Sequence, residues 1–121
     1  MENDRAEQIS LDQISAVFEI YKMYTYPERF GNTNVVGKVE WKCTFNWQGF
    51  ESMGVGETAL RIAPDESFIP LDQLTKQNII DFVISSNGGP NWIERMKELH
   101  LDQLVRMKHQ SMMIECPLPQ N

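Results

Sequence analysis

Between Val35 and Trp47 the chain alternates apolar and polar side chains, and this stretch limits the available folds more than any other. Val35, Val39, Trp41, Cys43, Phe45 and Trp47 share one face, interrupted by Gly37, while Lys38, Glu40, Lys42, Thr44 and Asn46 take the other. A period of two with one dry and one wet face marks a strand in an antiparallel sheet that is covered on one side. Gln48-Gly49 then separates Trp47 from Phe50, and a glycine in so short a connection predicts a hairpin, because it takes positive φ without penalty. A return strand follows at about 50–62. On it Met53, Val55 and Ala59 alternate on one face, Gly54 and Gly56 interrupt, and Leu60 and Ile62 have the opposite parity. A β-bulge near the glycines would reconcile the two halves.

Upstream, Ile14, Ala16, Phe18 and Ile20 alternate with Ser15, Glu19 and Tyr21, which predicts a strand over about 14–24. Asp12 is equally suited to start a short helix there. Tyr26 to Asn34 contains Pro27, Gly31 and three further turn-formers, and predicts a loop. Beyond the sheet, Ala63-Pro64-Asp65-Glu66 ends the strand pattern, and Phe68-Ile69-Pro70-Leu71 is an apolar patch folded back onto the core. Two helices follow. Thr75 is a good N-cap for a helix over 76–86 with Ile79, Ile80, Val83 and Ile84 as its buried stripe. Asn87-Gly88-Gly89-Pro90 stops it, with glycine at the C-cap. Asn91 with Glu94 resembles a capping box for a second helix reaching about 109, with Trp92, Met96, Leu99, Gln103, Leu104 and Met107 near one face.

The expected fold class is α+β: an antiparallel three- to four-stranded β-meander with two C-terminal α-helices packed on one face, the aromatic one. The domain reading is a flexible acidic lead at 1–12, one domain at 13–110 and an extended tail at 111–121, where Pro117-Leu118-Pro119 cannot be helical. At 121 residues, with 41% hydrophobic and 23% charged side chains, the chain is sized for one core. No apolar run approaches the ~20 residues of a membrane span. The opening MENDRAEQ is unlike a signal peptide. The expected location is therefore cytoplasmic, with no membrane partner.

The net charge of −6 is spread evenly, with 6 basic and 9 acidic residues in 1–62 and 5 and 8 in 63–121. No clustering of Lys and Arg suggests a phosphate-binding face, so no direct nucleic-acid binding is expected. Cys43 and Cys116 are expected to be two thiols rather than a bridge.

Motifs for chemistry fail on spacing. His100 and His109 are nine residues apart on one helix, about 13–14 Å along its axis, too far to share an ion. Ser85-Ser86-Asn87 lies at a helix C-terminus, where the dipole opposes an oxyanion. Glu94 and Glu98 are flanked by Arg95 and Lys97 and have no dry environment to separate their acidities. Gly54-Val55-Gly56 opens no helix, and Pro90 removes a donor from the Gly88-Gly89 turn. No catalytic residue, metal ligand or cofactor is expected, and the chain is not expected to be an enzyme. Trp47 and Phe50 flank the hairpin turn, where burial is hardest to complete, and are the candidate partner contacts.

The block Phe68-Ile69-Pro70-Leu71-Asp72-Gln73-Leu74-Thr75, continuing through Lys76 to Val83, resembles a family of small uncharacterised tailed-bacteriophage proteins. These pair a strand-rich first part with a Phe-x-Pro, Leu-Thr block and an amphipathic helix. The resemblance extends over roughly 35–119, including Glu98–Gln110 and Pro117-Leu118-Pro119. The chain departs from the family in its longer acidic lead and in lacking a Pro-Trp ending. The resemblance implies a phage context, hence the host cell's cytoplasm, and transfers no catalytic residue. The leading reading is a non-enzymatic phage accessory protein acting by protein–protein binding, for example to a host or defence factor. A homo-oligomeric virion or assembly component is the second reading, and an enzyme with an unrecognised site the third.

Overall fold

A computed structural model describes residues 9–60 and 69–120. Its elements run in the order β1 (Ser15–Arg29), β2 (Asn32–Trp47), β3 (Phe50–Ala59), α1 (Lys76–Ser86) and α2 (Pro90–Ser111). The strands form one antiparallel meander in the order β1-β2-β3. Both helices lie on one face of it, α1 mainly over β1 and α2 over β3 and β2. The expected α+β fold is therefore the one observed.

From Val39 on, the alternation in β2 holds, with Val39, Trp41, Cys43, Phe45 and Trp47 all buried, but before it the bulge at Gly37 changes parity and Val36, not Val35, joins the core cluster. Ile14, at the foot of β1, joins them, with Ala16, Phe18 and Ile20 packed against the same cluster. From the helices come Ile79, Val83, Leu101, Leu104 and Val105. Each such side chain contributes ~1.5–3 kcal/mol on complete burial, so this face holds the layers together. A one-turn 3-10 helix, Leu11–Gln13, is capped by the Ser10 hydroxyl and precedes β1. Asp12 thus does sit in a short helix, but the strand follows at once. Ile9 and Leu11 pack against the core, so this end of the expected flexible lead is docked; its first eight residues lie outside the described residues.

Both hairpins use two-residue turns. Gln48 and Gly49 have φ of 53° and 85°, and Phe30 and Gly31 have 53° and 79°. Positive φ at both positions is the turn that matches strand twist, and the second position is glycine each time. The expected loop over 26–34 is therefore a second hairpin. Pro27 does not break β1 because an edge strand tolerates a residue without an N–H. It sits opposite Asn34, which adopts φ 53°, between the pairs Tyr26–Val35 and Glu28–Thr33.

The bulges fall on the β1–β2 pairing rather than near Gly54 and Gly56. The register slips after Ile20–Trp41, leaving Tyr21 extra on β1, and slips back after Tyr24–Lys38, leaving Gly37 extra on β2. β3 pairs regularly with β2 from Phe50 to Ala59. Its core face is Ser52, Gly54, Gly56 and Thr58, opposite Phe45, Cys43, Trp41 and Val39. Met53 and Val55 point to solvent. The reason is space: a Cβ at Gly56 would lie 2.7 Å from the Trp41 ring, and one at Gly54 would lie 3.2 Å from the His100 imidazole. Rings from β2 and α2 fill what side chains on β3 would otherwise take. Leu60 extends the pairing by donating its N–H to the Gly37 carbonyl. Ile62, Ala63 to Glu66 and Phe68 lie outside the described residues; of the expected apolar patch, Leu71 is exposed and Leu74 is what packs on the core.

Helix α1 has the expected bounds. Thr75 accepts from the Asn78 N–H while the Asn78 side chain accepts from the Thr75 N–H, a complete capping box. At its end Asn87 is the cap; the Gly89 N–H reaches the Ile84 carbonyl and the Gly88 N–H that of Ser85, with Gly88 at positive φ. Helix α2 starts two residues earlier than expected. Gly89 is its N-cap and Pro90, which needs no donor there, its first residue, so Asn91 does not cap it and no box forms with Glu94. The buried stripe is Leu101, Leu104 and Val105, and Leu99 faces water.

Trp41 is wedged between Phe18 and Trp92, with ring centroids 5.7 and 5.4 Å away, and its indole N–H donates to Thr58. It cannot yield to a methyl group on β3. Gly56→Ala should destabilise the protein by about 1–3 kcal/mol, read as a lower urea midpoint with unchanged slope.

Candidate functional site

Trp47 and Phe50, the contacts expected from sequence, do not form an exposed aromatic pair. Trp47 is 2% exposed, with the Lys108 ammonium 5.2 Å from its ring centroid on the α2 side. Its indole N–H is buried without a hydrogen-bond partner among the described residues. Phe50 is half-buried against the core. The second helix extends over this turn and covers what the strand pattern leaves open.

A polar cluster links β3 to α2. The buried Ser52 hydroxyl donates to Gln103 Oε1 at 2.9 Å and lies 2.6 Å from His100 Nδ1. A hydroxyl has one proton. One proton cannot serve both neighbours, so the direction of the Ser52–His100 bond is set by the imidazole tautomer. The ring also stacks on Phe45, 4.4 Å between centroids, and burial lowers the His100 pKa from its ordinary 6.5. These contacts hold β3 against the helix. Among the described residues, no group of three or more His, Cys, Asp or Glu is placed to hold a metal ion, and no helix is long and apolar enough to cross a membrane. Cys43 and Cys116 are both free thiols, the first buried, the second exposed. Burial pushes the Cys43 thiol up to about 12, against smaller opposing pulls from the Val17 backbone and Lys97.

The exposed aromatic residues gather elsewhere. β3 ends at Ala59, opposite Lys38, whereas β1 and β2 continue together to the Phe30-Gly31 turn. The result is a two-stranded ribbon projecting past the third strand. Tyr26 and Phe30 lie on it, and Tyr21 and Tyr24 lead up to it on rows where β2 still pairs with β3; the four are exposed by 43, 47, 58 and 42%. Tyr21 keeps the outward parity of Val17 and Glu19, and the bulge shifts the register only after it. Tyr24 donates its hydroxyl to Glu40 at 2.7 Å, and that bond raises its pKa above 10.0. The Lys38 ammonium is 4.4 Å from the same ring. Tyr26 covers Gly37, where no side chain would fit beneath it. The Arg29 guanidinium lies 4.3 Å from the Tyr26 ring and 4.9 Å from that of Phe30. Cation–aromatic contacts of this kind contribute ~0.5–1 kcal/mol each at exposed sites, enough to hold the rings in place without hiding them.

Strand pairing and clamped cations thus preorganise a stripe of tyrosines and one arginine. The sequence signal for it is the run Tyr21-Lys22-Met23-Tyr24-Thr25-Tyr26 leading to Arg29-Phe30-Gly31, whose second half reads as loop because of Pro27. A family model described as Domain of unknown function (DUF7936) matches residues 13–117. No curated protein and no solved structure matches the chain.

Two measurements check the geometry around His100 and the thiols. A base with a lowered folded pKa stabilises fully above its unfolded value and loses that contribution as pH falls through the folded one. Unfolding free energy should therefore drop as pH falls below 6.5, and the drop should shrink in His100→Gln. An aromatic disulfide reagent should titrate one thiol, Cys116, in the native protein, and Cys43 only after unfolding.

Proposed function

The chain belongs to the family described as Domain of unknown function (DUF7936), and from that premise we propose that it is a non-enzymatic binding module acting by protein–protein contact. The observation that carries this reading is the β1–β2 hairpin, with Tyr21 and Tyr24 leading to the projecting ribbon of Tyr26, Arg29 and Phe30. Tyr and Arg are the residues that dominate binding energy at protein interfaces, because each combines a large rigid apolar surface with a polar end. An exposed ribbon also offers two backbone edges and a projecting tip, which suit insertion into a concave partner surface.

The acidic balance of −6 and the carboxylates of Glu28, Glu40 and Glu57 near the ribbon favour a protein partner over a phosphate backbone. Rings already capped by cations, as Tyr24 and Tyr26 are, suit contact with peptide groups and apolar side chains. A phage accessory role, directed at a host or defence factor from within the host cytoplasm, is the setting that the resemblance supplies to this reading.

Affinity purification tests it with three baits: the natural chain, a ribbon variant carrying Tyr21→Ala and Phe30→Ala, and a helix-side variant carrying Leu99→Ala. A stoichiometric protein should be retained by the first and third and lost by the second. With the partner in hand, each ribbon substitution should weaken binding about tenfold or more. Equal recovery by all three baits would place the contact away from the ribbon.

A further inference from the structure

We propose that the protein self-associates by laying the C-terminal tail of one copy into a groove beside β1 of another. The groove, of about 480 Å³, is walled by Ala16 and Phe18 of β1, by Ile80 and Ile84 of α1 and by Ile93 and Lys97 of α2. Three isoleucines from two helices converge there, with a single cation among these walls. β1 is an edge strand, so alternate N–H and C=O groups along its outer side are directed away from the sheet. An apolar wall beside a free ladder edge is the arrangement that takes an extended peptide, main chain on the edge and side chains in the groove.

The chain carries a peptide of that description. Among the described residues beyond Ser111 no helix or strand forms, and Met112, Met113, Ile114 and Leu118 are all exposed, Ile114 by 90%. Isolated exposed apolar residues need no explanation, but a run of them does. Glu115 in the middle of this run supplies the charge that Lys97 in the groove lacks.

Length decides whose groove it is. At a rise of about 1.5 Å per residue, Lys97 and Ser111 are about 21 Å apart along α2. The chain from Ser111 to Ile114 spans at most about 10 Å. Met112, Met113 and Ile114 therefore cannot turn back into the groove of their own copy, and a second copy's groove can receive them. Two tails exchanged across a two-fold axis close the contact into a dimer; unreciprocated, it propagates head to tail. Nothing in this contact draws on the ribbon, and the two can fail separately.

Size-exclusion chromatography with light scattering, at tens of micromolar, tests the proposal on the full chain, on a chain ending at Ser111 and on Ile84→Glu. The full chain should run at twice its 14.1 kDa or more, and both variants at the monomer mass. A second measurement does not depend on how Ile84→Glu folds: Gln77→Cys adds a thiol at the groove, and mild oxidation should join it to Cys116 of another chain, giving a covalent dimer absent from the natural chain. A monomeric full chain, an equal mass without the tail, or a bond between the new thiol and Cys116 within one chain would each overturn the proposal.

Discussion

The Thr58 hydroxyl, a single buried oxygen, ties the layers together. It accepts from the Trp41 indole N–H at 2.9 Å and from the Asn87 side-chain amide at 3.0 Å. Asn87 in turn donates to the Val83 carbonyl while capping α1. One oxygen on β3 thereby fixes the central ring of the core and the turn between the two helices. Trp41 is thereby held in contact with Phe18 on β1 and Trp92 on α2, so every element of the domain meets at it. A buried polar network of this kind specifies one arrangement because each member loses its partner if any other moves. The absence of side chains at Gly54 and Gly56 follows from it, since the third strand must be thin where the rings lie.

The same packing explains why one region is covered and another is left bare. The two helices lie over the part of the sheet that three strands share. β3 is too short to accompany β1 and β2 to their turn, and the ribbon beyond it is stiffened instead by its own pairing, by Tyr26 seated on Gly37 and by Arg29 between two rings. The bare segment that carries Tyr26 and Phe30 is thus a consequence of unequal strand lengths. Opposite bulges at Tyr21 and Gly37 cancel, so the ribbon leaves the sheet in register although its rings are rotated outward.

How much of this the sequence discloses depends on whether the governing contact is local. β2 and α1 are legible because burial follows the period of the element itself, and Thr75, Asn87 and the glycines after it punctuate the helix within a few residues. Where the deciding neighbour is distant, the pattern misleads. Met53 and Val55 look like a core face because the rings that exclude side chains from positions 54 and 56 belong to His100 on α2 and Trp41 on β2. Pro27 reads as a breaker because sequence does not say that β1 is an edge. Leu99 looks buried and Leu101 does not, because the covered face of α2 is chosen by the strands it packs on, β3 and β2, and not by its own period. The candidate contacts suffered likewise: Trp47 lies at a turn, yet Lys108 covers it from a helix sixty residues on. Partner and activity leave no mark in periodicity at all.

The two-residue turns have a consequence for how the chain reaches this state. Each strand pairs with its immediate neighbour in sequence through a connection of minimal length, and the helices are joined just as directly. Ring closures so small carry little entropic penalty, and topologies dominated by them fold fast. The costly closure is the return of the helical pair across the sheet, where Ser52 meets His100 and Gln103 some fifty positions away. The meander is therefore positioned to form first and to wait, apolar face open, for the helices. That interval, rather than the finished structure, is when Trp41, Phe45 and Trp47 are most exposed to a neighbouring chain.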